Sequence, residues 1–546
     1  MTTFNQLAPL LHRRKDRISS CAASCLILLM KNPMCLFHSG FWLSYLAIVG
    51  IEIGMRLTLP LRFMPYPLRK YLASYVGVTL TTMPVSAWFF YSLGFHSFFM
   101  NLLVLPLSRS LLLSGIGGTL LGLIHPALGT GLAFLTTQGL KLCLWLGSVA
   151  EGSSFLKNLT LWGRPTVWQM GLYAMGMVIL CMAAVEKERL KQSRMRLIGT
   201  LLILLLLLRP SLLPSWTPGC LKTALGGGNR ITFLAVGQGD CAVIEWNGSV
   251  IVEDAGPAYE DVIEPYFKFR GLKKVDLLVL SHPDEDHIEG ALLMAGEGLI
   301  HIDRLMVGQE TEISENLAAL ETLVEEGGGT VLRAYAGDEF ELNGVRLAVL
   351  SAQEAVETTA GEAAKRGQTG KAANSGQLGV AAHSGQTGKA AGIKAAASAE
   401  YTSTESTNDL SLVHLLIFPS GDRALFTGDA GKEAEKAALE TLREDFPELY
   451  ESRALSASAR MVLKVGHHGS STSSDGGTLA EWMIDVAVIS CGKNNRYGHP
   501  HEETLETLET LNIPTYVTKD TGAVTVSLPQ TAGGRRTIET YAKNSR

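Results

Sequence analysis

The six residues HPDEDH, from His282 to His287, set two imidazoles and three carboxylates directly behind the apolar run VDLLVL. Imidazole suits borderline transition metals and carboxylate suits hard cations, so a mixed set at a strand end can hold a pair of divalent ions side by side. In that reading His282, Asp284, Asp286 and His287 converge while Glu285 points away; the alternative is a solvated acidic loop. Two later turns carry the same chemistry. TGDA puts Asp429 after the strand-like run RALFTG, from where one carboxylate can bridge two ions, and VGHHGS puts His467 and His468 after MVLKV. A GD after a strand is by itself an ordinary turn, and the recurrence of all three motifs is what points to a metal centre. Downstream, GKNNRYGHPH offers Lys493, Asn494, Arg496 and Tyr497 to hold a phosphate and His499 to protonate a leaving oxygen, with Lys464 a further phosphate-holding candidate. Ordinary surface charge is the alternative for Lys464 and Arg496. VGQGD (236–240) and EDAGP (253–257) read as structural: Gly237 and Gly239 permit a tight turn, and Asp240 or Asp254 can orient ligand histidines.

Positioning these groups requires a layered α/β domain. From about Ile231 onward the chain shows short Val/Leu/Ile-rich runs bounded by Gly, Asp or Asn, namely ITFLAV, CAVIEW, GSVIVED, VDLLVLS, RLAVL, LVHLLIF, RALFTGD, MVLKVG and VAVIS, a strand signature. Helical patterns fall between some of them: IEGALLMAGEG, ENLAALETLVEEG, KEAEKAALETLRE and EETLETLETLN. Strands and helices in this arrangement form layers with the ligand-rich turns at strand ends. The segment 355–407 is Ala, Gly, Ser, Thr, Gln and Lys with GQTGKAA repeated, a composition expected to stay disordered. Its GQTGK lacks the GxxxxGK[ST] spacing and a preceding strand, so it does not predict a nucleotide site.

The remainder is different in kind. At 546 residues and a mean hydropathy of +0.18 the chain exceeds one ordinary domain and is too apolar for a wholly soluble enzyme. The net charge of −5 averages an acid-poor apolar first part and an acidic soluble part, so it indicates no partner. Apolar runs near 18–36, 40–59, 72–94, 98–124, 127–150, 167–185 and 197–213 approach the spanning length of about 20 residues. Arg13 to Arg17, then Arg62, Arg69 and Lys70, then Lys187 to Arg196 fall in alternate loops, and the positive-inside rule puts those loops in the cytoplasm and everything after Pro214 outside. Arg109 and Asn101 at membrane depth either accompany close packing through small residues or face an aqueous path. Cys241 and Cys491 are either free thiols or a bridge. The chain thus divides into a membrane region, 1–215, and a soluble domain, 228–546.

HPDEDHIEG resembles the HxDxDHxGG variant of the metallo-β-lactamase superfamily signature, with Glu289 in place of the first glycine. FLAVGQGDCAVIE, VIVEDAGP, RALFTGDA, LKVGHHGSSTSS and ISCGKNNRYGHPH resemble segments of the ComEC family of competence proteins, as do GFWLSYLAIVGIEI, TLTTMPVSAWFFYSLGF and FFMNLLVLPLS in the membrane part. The resemblance implies a polytopic competence-type membrane domain of about six to seven helices and an αββα metallo-β-lactamase-like hydrolase domain. The family usually carries an N-terminal oligonucleotide-binding-type domain and further helices; nothing before Phe41 matches them, so the membrane part is expected to be partial. By resemblance His282, Asp284 and His467 hold one ion, Asp286 and His287 the other, and Asp429 bridges, the ions being Zn²⁺ or Mn²⁺. His468 is the alternative to His467, and Asp286, His468 and His499 make up the catalytic set.

The implied function is DNA uptake in natural transformation: one strand crosses the bacterial cell membrane and the other is degraded by an extracytoplasmic metal-dependent phosphodiesterase or nuclease. The implied partners are DNA, single-stranded in the membrane and double-stranded at the outer face, membrane lipid, and other competence proteins. Three readings compete: an envelope-directed phosphodiesterase or lactonase, a scaffold whose metal domain is idle, and a non-functional remnant.

Overall fold

The computed structural model describes residues 17–56, 64–152, 160–207, 228–309, 314–351, 411–452, 459–531 and 534–541. The insert expected at 355–407, the basic cluster at Arg13–Lys15 and Arg62 lie outside the described residues. The chain forms two compact units, one of residues 1–226 with 267–272, the other of 227–266 with 273–546.

In the first unit, consecutive helices pair through glycines. A side chain at Gly77 would meet the carbonyl oxygen of Gly50 at 2.1 Å, one at Gly129 the Cα of Gly122 at 2.5 Å, and one at Gly176 the carbonyl oxygen of Gly199 at 2.8 Å. The helices Ser39–Arg56 and Tyr66–Phe90, Phe95–Ile124 and Pro126–Gly152, and Val167–Val185 and Arg189–Leu204 approach at backbone distance by this means. Among the described residues three helices are long and apolar enough to cross a membrane: Phe98–Ile124, Gly129–Val149 and Val167–Val185. This is fewer than the seven runs read from sequence. Ser19–Lys31 and Ser39–Met55 are apolar but shorter. Tyr66–Phe90 is diluted by Arg69, Lys70 and threonines, of which Thr79 and Thr82 return their hydroxyls to the carbonyls of Tyr75 and Val78 (3.0 and 2.8 Å). Arg109 and Asn101 are both exposed on Phe95–Ile124. The short strands Ser92–Gly94 and Thr160–Trp162 pair antiparallel and bring two inter-helix loops together.

The second unit is a four-layer αββα sandwich. One sheet has eight strands in the spatial order Thr330–Ala334, Arg304–Gly308, Leu277–Leu280, Ser249–Glu253, Ala242–Trp246, Arg230–Phe233, Ala523–Ser527 and Ile538–Tyr541. The other has seven: Glu339–Leu342, Val345–Ser351, Val413–Ile417, Arg423–Phe426, Met461–Lys464, Val486–Ile489 and Thr515–Val517. All nine strand-like runs read from sequence are strands here. Between the sheets lies an apolar core in which Phe233 meets Phe426 (6.1 Å between ring centres) and Trp246 meets Phe418 (5.3 Å). Each large side chain so buried contributes about 1.5–3 kcal/mol. A second core packs the seven-stranded sheet under the amphipathic helix Lys432–Glu444, whose Ala434, Ala438, Leu439 and Leu442 face inward. Cys241 and Cys491 are both buried and free.

Candidate metal centre

Each sheet contributes parallel strands, and their carboxyl ends carry the ligand turns. In the first sheet Ser249–Glu253 and Leu277–Leu280 run parallel and lead into Asp254 and Ser281-His282; in the second, Arg423–Phe426, Met461–Lys464 and Val486–Ile489 run parallel and lead into Asp429, Gly466–Gly469 and Ser490. Carboxyl ends of parallel strands are where backbone groups and loops converge on ligands in open α/β sheets. The two sheets meet here, since the Leu412 N–H donates to the carbonyl of Ser281 (2.9 Å).

Two glycine turns clamp the HPDEDH segment. The Asp240 N–H donates to the carbonyl oxygen of Asp286 (3.2 Å), and a side chain at Gly239 or Gly256 would stand 2.3 or 2.1 Å from that same oxygen. Gly290 lies against the Gly256 carbonyl, where a Cβ would come within 2.4 Å. Glu289, the departure from the family signature, is exposed and meets no such constraint. The HHG turn is built differently: His467 and His468 both adopt left-handed backbone conformations (φ 46° and 54°), each costing on the order of 1–3 kcal/mol. The turn is held by the Ser470 N–H on the His467 carbonyl (2.9 Å), the Ser473 hydroxyl on the Gly466 carbonyl (2.8 Å) and the His501 N–H on the Gly469 carbonyl (2.9 Å).

Hydrogen bonds behind the imidazoles fix their tautomers. His287 Nδ1 donates to Asp254 Oδ2 (2.9 Å), and His468 Nδ1 donates to the Ser490 carbonyl (3.0 Å). The Ser281 hydroxyl donates to Asp254 (2.7 Å), leaving its oxygen to accept from His282 Nδ1 (3.0 Å). All three rings therefore turn Nε2, the atom left over for a metal, toward a common point. There, His282 Nε2, His287 Nε2 and Asp429 Oδ1 are buried without a hydrogen-bond partner. His287 Nε2 is 3.5 Å from Asp429 Oδ1, and His468 Nε2 is 3.2 Å from Asp286 Oδ2 and 3.6 Å from Asp429 Oδ2. The triplets His282–His287–Asp429 and Asp286–His287–His468 each hold their ligand atoms within 4.8 Å of one another. Orphaned buried lone pairs on imidazole and carboxylate fit a divalent cation, and nothing else among the described residues satisfies them.

The electrostatics agree. Burial opposes ionisation of Asp286 and Asp429, and the imidazoles of His468 and His287 more than offset it, holding both carboxyls below the usual range and Asp429 well below. Burial likewise opposes protonation of His287 and His468, and Asp429 with Asp254 or Asp240 reverses it, raising His287 well above its ordinary value and His468 to about 10. The cluster thus pulls on positive charge, which a divalent ion would supply.

The expected site residues divide into three groups. His282, Asp286, His287, Asp429 and His468 converge. Asp284 stands at the mouth, with a side chain 44% exposed and 3.6 Å from His282 Nε2. His467 lies farther out, 3.9 Å from Asp429, with its Nδ1 against the Thr472 hydroxyl (3.2 Å), so of the two adjacent histidines it is His468 that enters the cluster. His499 is buried beside it, 6.1 Å from the His468 ring, its Nδ1 without a partner, and burial together with the neighbouring imidazoles pushes it down to about 4. Tyr497 stacks on His499 (5.6 Å) and is exposed, as are Lys493, Asn494 and Arg496. Lys464 corrects the sequence reading. It is buried, paired with Asp240 and bonded to the Val465 carbonyl (2.9 Å), and so it does not reach a bound phosphate. Sequence reasoning missed Ser281, Ser411, whose hydroxyl accepts from the Asp429 N–H (3.1 Å), and the buried pair His414–Glu253 (3.0 Å) between the sheets. Only Ser281, adjacent to the motif, left a signal.

A sandwich of this topology with this ligand cluster defines a metallo-β-lactamase fold domain. Residues 234–302 match the metallo-beta-lactamase superfamily, and residues 1–187 match the family described as competence protein, so the chain joins a competence-type membrane region to a metallo-β-lactamase domain and is a membrane protein. It is 24% identical over 539 residues to ComE operon protein 3 of Bacillus subtilis (strain 168), covering 93% of this chain and 58% of that one. It is also 24% identical over 486 residues to Recombination protein 2 of Haemophilus influenzae, covering 83% of this chain and 49% of that one. The chain spans about half the length of these curated relatives. The metallo-beta-lactamase fold protein YhfI of Bacillus subtilis aligns with 53% of this chain and 96% of its own at 10% identity, with a TM-score of 0.30, too low to bear on function.

Proposed function

We propose that the chain is a membrane protein of DNA uptake in natural transformation, whose extracytoplasmic domain is a two-metal phosphodiesterase that degrades the strand not imported. The carrying observation is the convergence of buried, unpartnered imidazole and carboxylate lone pairs at the carboxyl ends of parallel strands, on a chain that also carries a competence-type membrane region. His282, His287, His468, Asp286 and Asp429 would hold the ions, with Asp284 at the open side. Zn²⁺ or Mn²⁺ at such a set lowers the pKa of a water toward neutrality and polarises phosphoryl oxygens. Asp254, Ser281 and Ser490 keep the rings in the ligating tautomer. Asp286, a third exposed, borders the solvent side from which a phosphodiester would enter. Lys493 and Arg496 on the exposed rim offer charge to a phosphate backbone, and the partnerless Nδ1 of His499 is placed to hydrogen-bond a phosphoryl or leaving oxygen.

The outer location of the domain is supported by parity. If the basic segments at Arg69–Lys70 and Lys187–Arg196 face the cytoplasm, and Tyr66–Phe90 and Arg189–Leu204 cross the membrane in addition to the three long apolar helices, the paired strands Ser92–Gly94 and Thr160–Trp162 fall together on the opposite side and the second unit follows there. DNA, membrane lipid and other competence proteins are the partners in this reading.

The test uses the full chain in detergent with Mn²⁺ or Zn²⁺, assayed on single-stranded DNA, double-stranded DNA and a chromogenic phosphodiester beside Asp286→Ala and Asp429→Ala. Metal-dependent DNA cleavage abolished in both variants supports the reading. Cleavage of the small diester alone points to an envelope phosphodiesterase, and inactivity of a folded, metal-loaded chain refutes a hydrolase.

A further inference from the structure

Beneath the ligand cluster, Asp240 is a carboxylate with unused capacity. It is buried, and neither of its oxygens accepts a hydrogen bond of good geometry. Its ligand atoms lie within 4.8 Å of those of Asp429 and His468, and within 4.8 Å of those of Asp254 and His287. It lies behind the His468 ring, its Oδ1 3.5 Å from Nδ1, and the ammonium of Lys464, itself buried at the end of the strand Met461–Lys464, is paired with it. A lysine is almost never fully buried unless paired, and this one faces no solvent from which to meet a substrate.

We propose that Lys464 is a positioning residue that claims Asp240, keeping this carboxylate out of the metal shell and setting the affinity of the centre for divalent ions. With Lys464 in place, its charge opposes cations arriving on the far side of Asp240 and leaves the loaded centre more positive toward a phosphate anion. Without it, Asp240 becomes one more acidic ligand or counter-charge beside His468 and Asp429. The inference rests on the cluster being a metal centre and is independent of the substrate.

The experiment titrates chelator-stripped full chain in detergent with Mn²⁺ by calorimetry, comparing wild type, Lys464→Met, Lys464→Arg and the double variant Asp240→Asn/Lys464→Met. Lys464→Met should tighten Mn²⁺ roughly a hundredfold or more, the scale of removing a unit charge about 10 Å from a divalent ion at an effective dielectric of about 20. Lys464→Arg should match wild type, and Asp240→Asn in the Lys464→Met background should cancel the gain. Affinity that is unchanged or weakened in folded Lys464→Met, or a gain that survives Asp240→Asn, overturns the proposal. If Lys464→Met does not fold, Asp240→Asn alone decides, because an unopposed ammonium should weaken Mn²⁺ roughly a hundredfold and an unchanged affinity refutes the role. Absence of Mn²⁺ binding in wild type overturns the metal reading itself.

Discussion

Gly256→Ala isolates the steric clamp on HPDEDH from every chemical group of the centre. Gly256 does not adopt a left-handed conformation, so alanine costs nothing in backbone preference there. Its Cβ would instead stand 2.1 Å from the Asp286 carbonyl oxygen and 3.2 Å from the Asp240 nitrogen. A carbon–oxygen contact needs roughly 3.2 Å, so the chain must open by about 1 Å at the residue that carries two ligands, Asp286 and His287. Overpacking of this kind costs about 1–3 kcal/mol, a fall of ~2–12 °C in the unfolding midpoint of a domain this size. Ligand displacement on that scale should weaken divalent metal binding about 10–100-fold, as loss of a supporting partner does. Thermal unfolding and Mn²⁺ calorimetry on the full chain measure both quantities. Gly256→Ala with wild-type affinity and an unshifted midpoint would refute the claim that this close approach positions the metal ligands.

Three further outcomes are expected. His468→Ala should abolish tight binding of at least one divalent ion, whereas His467→Ala, with its ring farther out, should retain it with a smaller loss; equal loss in both would contradict the placement of the HHG turn. Glu289→Gly, which restores the family pattern at an exposed position inside the helix Glu285–Glu297, should leave metal affinity unchanged within about twofold and cost about 0.5–1 kcal/mol of stability, the penalty of glycine in a helix. Glu435 on the helix Lys432–Glu444 is buried, accepts from the Ser474 N–H (2.9 Å), and is pushed up to about 7 chiefly by burial. Its raised pKa means that the folded state keeps a proton which the unfolded chain releases, so stability falls as pH rises from about 4.5 through 7. The loss is at most ~3 kcal/mol. Glu435→Gln should match wild type near pH 4.5 and exceed it at pH 8, as read from denaturant unfolding across that range; parallel curves would show that Glu435 does not titrate there.

The strands were legible because a strand buried on both faces reads as a nearly unbroken Val/Leu/Ile run, and the metal turns because His and Asp stood immediately after such runs. What the sequence could not order was the HHG turn. Two successive left-handed residues decide which ring enters the cluster, and histidine carries no mark of that conformation. Lys464 was misread for a related reason: at the end of MVLK it resembles a solvent-reaching charge, yet the strand is buried throughout and Asp240, more than two hundred residues earlier, draws the ammonium inward. The sequence held half of the clue, since a charge ending a fully apolar central strand must find a buried partner. Glu253 and His414 left no trace, being isolated polar residues in apolar strands that meet only when the sheets stack.

The central claim is that the imidazole and carboxylate cluster holds divalent metal. The most direct measurement is the metal content of the full chain, purified without chelator and then equilibrated with Mn²⁺ or Zn²⁺, by elemental mass spectrometry beside Asp429→Ala. The expected result is a pair of divalent ions per wild-type chain, reduced to one or none when Asp429, whose carboxylate faces both His287 and His468, is removed. A folded wild-type chain that retains no divalent metal, or an Asp429→Ala chain that retains as much as wild type, would contradict it.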